Sequence, residues 1–184
     1  MVRAKGLALA ALLAALTAGT SGLSIPLPFT PVPITLQVFF VFLAGSLAGP
    51  FYGALSMLLY LALGAVGLPV FSKFSAGLGH LIGPTGGYLL AFPIAASVNG
   101  LIASRRSSTL LGEYGRVLCG MVAALAVVYV IGVGWLSTYL HRPFMDTFLV
   151  GCLPFIPVDV VKLVVAAPIA VRLRRELASV LSRG

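Results

Sequence analysis

Residues 34–68 read ITLQVFFVFLAGSLAG and then PFYGALSMLLYLALGAVGL, with no charged side chain and one break, at Gly49-Pro50. A bilayer core about 30 Å thick is spanned by roughly 20 predominantly apolar residues in a helix. Proline removes an amide donor and clashes with the preceding turn. The stretch therefore predicts two membrane helices, 34–48 and 51–68, in immediate succession.

The same poverty of charge runs through the chain. Of 184 residues, 12 are Lys or Arg and 4 are Asp or Glu, 9% together, while 60% are hydrophobic. Soluble domains carry about 25% charged residues, so this is an all-α integral membrane protein without room for a soluble catalytic domain. Further spans are expected at 7–23, 88–102, 117–136 and 148–171, giving six helices in one membrane domain over 1–184. The basic start, apolar run and small-residue end Ala18-Gly19-Thr20-Ser21 also match a cleaved signal peptide. A retained helix is favoured by the charge distribution that follows.

With six spans both termini share one side. Arg3, Lys5, Arg105, Arg106, Arg116, Arg172, Arg174, Arg175 and Arg183 fall there, against Lys73 and Arg142 opposite. That asymmetry predicts cytoplasmic termini in a multi-pass plasma-membrane protein, and it vanishes if the first helix is removed. The net charge of +8 thus reports orientation in a lipid bilayer and not nucleic-acid binding.

Two connections on the outer side are unusual. Residues 24–33 hold four prolines and predict a rigid extended loop. Residues 68–87 are too rich in Gly and Pro for a span and too apolar for a solvated loop, so they predict a lid over a ligand pocket. The tail from Arg172 predicts a short amphipathic segment on the surface.

Asp159 and Lys162 stand three apart inside the last span and so share a helical face. Ionisable residues at membrane depth mark function, although a structural ion pair is the plain alternative. Gln37, Thr35 and Tyr88 lie at outer helix ends, where each can equally satisfy the terminus. Phe71 and Phe74 can pack against a ring, Lys73 can snorkel, and His80 can be a satisfied lid residue. In the first helix Ala10 and Ala14, and Ala11 and Ala15, form small-xxx-small rows that permit close approach of a partner helix. Cys119 and Cys152 have no metal-ligand spacing, no ATPase loop is present, and the histidines sit outside the spans, which weighs against an intramembrane enzyme.

The runs Pro31-Val32-Pro33-Ile34-Thr35-Leu36-Gln37, Gly64 to Phe71, Gly83-Pro84-Thr85-Gly86-Gly87-Tyr88-Leu89 and Pro157-x-Asp159-x-x-Lys162 closely resemble BioY proteins, the biotin-specific S components of energy-coupling-factor (ECF) transporters. The resemblance implies a non-enzymatic subunit without cofactor or metal. It would capture biotin outside and work with a transmembrane coupling subunit and two cytoplasmic ATPases. It makes Asp159 and Lys162 ligand contacts, the loops the cover of the site, and Ala10, Ala11, Ala14 and Ala15 a docking surface. Asp159 with Gln37 suits the ureido ring, and a basic residue with Tyr88 or Thr85 suits the carboxylate; which end meets Lys162 is left open. Val158, Lys73 and His80 depart from the family pattern. An S component for another vitamin would keep the topology without these motifs.

Overall fold

The computed structural model describes residues 3–105 and 109–182, with side chains up to residue 177. The first helix, α1 (Arg3–Gly19), begins earlier and ends earlier than expected. After a turn the chain forms an antiparallel hairpin, β1 (Ser24–Leu27) and β2 (Thr30–Thr35), where an extended loop was expected. Ser24 pairs with Thr35, Ile25 with Ile34 and Leu27 with Thr30; the register is irregular at Pro26, which has no amide to donate.

The stretch 34–68 yields α2 (Gln37–Ala65), continuous by hydrogen bonding but broken in direction at Gly49, with φ 75° and ψ −175°. The two arms fold back on each other. A Cβ on Gly53 would lie 2.9 Å from the carbonyl oxygen of Ala44, and Gln37 reaches Tyr60 at 2.7 Å across 23 positions. In a straight helix Gln37 and Tyr60 would be about 35 Å apart at 1.5 Å per residue. Only glycine holds such a φ/ψ pair cheaply, so Gly49→Ala is expected to cost about 1–3 kcal/mol. Thermal unfolding in detergent checks it.

The segment 68–87, expected to be a lid and called by that name below, contains a one-turn 3-10 segment (Ser72–Phe74), a bridge from Phe71 to Ser75, and α3 (Leu78–Ile82). The remaining helices are α4 (Gly86–Ala103), α5 (Leu110–Leu140), α6 (Phe144–Gly151) and, after a 3-10 turn at Leu153–Phe155, α7 (Ile156–Ser182). Three expectations change here. Arg116, expected just before the span 117–136, lies inside α5, because Thr109 accepts from the Gly112 amide and starts the helix early. The single helix 148–171 is two, since the prolines at 154 and 157 confine α7 to a start at Ile156, with Pro157 tolerated in its first turn. The tail is not a separate surface element: α7 continues to Ser182, with Arg174 donating to the Ala103 carbonyl and Arg175 gripping Glu113 at 3.0 Å.

Four stretches among the described residues are long and apolar enough to cross a membrane: Gln37–Ala65, Gly86–Ala103, Leu110–Leu140 and Phe144–Leu177. Contacts sort the two ends of the bundle. Gly6 abuts Tyr52, Gly100 abuts the Gly49-Pro50 break, and Arg174 and Arg175 reach the end of α4 and the start of α5. The other end carries the hairpin, the lid and α6. The described basic residues Arg3, Lys5, Arg105, Arg116, Arg172, Arg174 and Arg175 gather at the first end; Arg106 and Arg183 lie outside the described residues. Apolar burial drives no association inside lipid, so the helices are held by close packing and internal polar bonds. Asn99, fully buried, donates from Nδ2 to the Phe42 carbonyl at 2.7 Å and bonds with Ser46, joining α4 to the first arm of α2. Leu58, Leu101, Val130 and Val164 face outward, where acyl chains would cover them.

Candidate functional site

At the lid end a cavity of about 60 Å³ lies between β2, the start of α2, α4, α5 and α7. Its floor is polar. Lys162 Nζ lies 2.6 Å from Asp159 Oδ1, and the Tyr129 hydroxyl donates to Oδ2 at 2.6 Å. The i, i+3 spacing on α7 aligns the first two, and α5 brings the third across 30 positions of sequence. Asp159 and Lys162 are 4% and 8% exposed. Both carboxylate oxygens are engaged and the charges cancel, which is the condition for holding ions at such depth.

Opposite, Gln37 Nε2 donates to the Tyr60 hydroxyl at 2.7 Å, and Tyr60 donates to the Val70 carbonyl at 3.1 Å. Thr35 Oγ1 donates to Gln37 Oε1 at 3.2 Å. This chain of bonds ties hairpin, both arms of α2 and lid into one wall. Tyr88 presents its ring to the cavity while its hydroxyl donates to the Gly151 carbonyl at 2.7 Å.

Asp159, Lys162, Tyr88, Gln37, Thr35 and Thr85 all line this cavity. Phe71 does not. It is fully buried beneath the lid, edge-on to Tyr60 at 5.6 Å and stacked on His80 at 5.5 Å. His80 lines the cavity in its place, and burial holds its imidazole below the ordinary value, in the neutral form that suits an aromatic stack. Ser75 lies 3.2 Å from His80 Nε2, but its hydroxyl donates to the Ser72 carbonyl at 2.7 Å. The Ser75 hydroxyl is thus directed at the Ser72 carbonyl and away from the imidazole. Along α1, Ala10 and Ala14 are buried where the helix packs on α2, so of the four expected docking alanines Ala11 and Ala15 are the exposed pair.

Two residues escaped the sequence reading. Tyr129 sits in the middle of an apolar helix, and the signal available was its depth, far from the interfacial belt where tyrosines gather. Trp135, the one tryptophan, donates from Nε1 to the Gly83 carbonyl at 2.9 Å and anchors the end of the lid to α5.

The family model described as the BioY family matches residues 1–179. The probable biotin transporter BioY of Pyrococcus horikoshii is 45% identical over 175 residues, covering 94% of this chain and 98% of that protein. The biotin transporter BioY of Thermotoga maritima is 46% identical over 154 residues, covering 84% and 88%. A crystal structure of the S-component for biotin from an ECF-type ABC transporter superposes with a TM-score of 0.83 at 32% identity, covering 95% of each chain.

Proposed function

The chain belongs to the BioY family, and on that premise we propose that it is the membrane subunit that captures biotin for an ECF-type uptake system. It is a transport subunit and not an enzyme. The observation that carries the site assignment is the buried Asp159–Lys162–Tyr129 cluster facing a cavity at the lid end.

The pair is internally neutral, so it suits the uncharged ureido ring, whose N–H groups and carbonyl meet Asp159, Lys162 and the Gln37 amide. A carboxylate there would compete with Asp159 for one ammonium. Phe92, Val128 and Phe155 supply the apolar walls for the bicycle.

With α1 and the two arms of α2 counted separately and α6 with α7 counted as one, this reading has six spans. The basic end would face the cytoplasm, with both termini, and the lid end would face outward. Uptake would need a transmembrane coupling subunit and two cytoplasmic ATPases, with Ala11 and Ala15 of α1 as a docking surface. Saturable binding of radiolabelled biotin to the purified protein in detergent, unaffected by excess of an unrelated vitamin, tests the function; absence of binding refutes it. Within this reading Tyr129→Phe is expected to weaken biotin binding about 10- to 150-fold, because loss of a bond to a charged acceptor costs about 1.5–3 kcal/mol. Isothermal titration calorimetry measures it.

A further inference from the structure

A second cavity, of about 320 Å³, lies outside the first, between the β1–β2 hairpin and the lid. Pro33, Ser72, His80 and Thr85 line both cavities and so form a thin partition. No carboxylate lines the outer cavity among the described residues, whereas Lys73 does, beside the hydroxyls of Thr30, Ser72 and Ser75.

The placement of Lys73 is imposed. Its backbone is left-handed, φ 58° and ψ 34°, and Phe74 follows at φ 55°. Side chains other than glycine rarely adopt that region, and two in succession persist only where surrounding contacts hold them. Here the Lys73 amide donates to the Ser21 carbonyl at 2.9 Å, and the Phe74 ring packs against Gly22. The turn after α1 thus fixes a cation at the rim of the outer cavity.

The inner cavity, at about 60 Å³, is the smaller of the two and opens toward the outer one, of about 320 Å³, across the shared partition. With the ring against Asp159 and Lys162, the carboxyalkyl chain is directed at the partition of Pro33, Ser72, His80 and Thr85. Lys162 is neutralised, so the remaining full cation lining either cavity among the described residues is Lys73.

We propose that the outer cavity is a second subsite that receives the carboxyl end of the ligand, with Lys73 as its counter-ion, and that it admits biotin extended there by a small carboxylate-bearing amide. The inference rests on biotin occupying the inner cavity. Three probes test it on the full chain in detergent: biotin, biotin amide-linked to glycine, and neutral biotinamide. The glycine conjugate is expected to bind within about tenfold of biotin, ~1.4 kcal/mol. Lys73→Gln should weaken both carboxylates about three- to fivefold at low salt and less at high salt, as for an exposed ion pair, and leave biotinamide unchanged. Exclusion of the conjugate while biotin binds would overturn the subsite, as would an equal effect of the substitution on all three probes. If biotin itself does not bind, the inner-site reading falls and the subsite with it, a result told apart because every probe then fails. Lys73 is exposed, and an unchanged melting temperature confirms that the variant is folded.

Discussion

Asp159→Asn is expected to reduce biotin binding by at least about 100-fold, the equivalent of two charge-assisted contacts weakened together. The substitution removes the acceptor for the ligand and strips Lys162 of its counter-ion at 2.6 Å, while Tyr129 loses a charged acceptor. A buried charge left alone costs about 3–5 kcal/mol, so the melting temperature should fall as well. Stability and binding are separated by a second variant in which Asp159→Leu and Lys162→Met are combined. Replacing both members of a buried pair by apolar groups of similar size is often neutral for stability. The double variant should therefore recover most of its stability and none of its affinity. Biotin binding retained by that variant would show the pair to be a structural lock and would remove it from the site.

The second large effect is expected at the start of α4. A Cβ on Gly86 would fall on the Leu81 carbonyl oxygen, and one on Gly87 would strike the Trp135 side chain. The first obstacle is backbone and has no rotamer to yield, so Gly86→Ala must displace the segment between α3 and α4. The bond from Trp135 to Gly83 goes with it. Overpacking of this kind costs about 1–3 kcal/mol, and it falls on the lid, so biotin dissociation should accelerate about 5- to 150-fold. Stopped-flow or filter-binding measurement of the off-rate checks this, and Trp135→Phe, which removes the N–H and keeps the bulk, should give a smaller increase. An off-rate unchanged in Gly86→Ala would mean that the lid does not retain the ligand.

Both predictions join residues that differ in how far they could be read from sequence. Asp159 and Lys162 were legible because a charge in an apolar run is conspicuous and their spacing is local. Gly86 and Gly87 were legible as a motif but not as a close approach, since the obstructing atoms belong to Leu81 and Trp135. Tyr129 was not legible as a partner of Asp159, because nothing in a helix interior states which neighbour it will face. Phe71 was expected to line the cavity and lies behind its wall, stacked on His80: an aromatic residue in a loop is drawn equally to a pocket and to the core beneath it.

Composition alone determined that the chain lives in a bilayer, since 16 charged residues among 184 cannot cover a water-facing surface. Local chemistry determined the break at Gly49-Pro50, the irregular lid and the face shared by Asp159 and Lys162, because each depends on backbone rules acting over a few residues. Tertiary structure decided the rest. It folded α2 back so that Gln37 meets Tyr60, and turned Ala10 and Ala14 inward while leaving Ala11 and Ala15 outside. It carried α7 on past Arg172 to clamp α4 and α5, and it set Lys73 in a left-handed turn over a second cavity. These outcomes depend on which helix faces meet, and inside lipid that choice is made by close packing and polar pairing across long stretches of sequence, which no local pattern records.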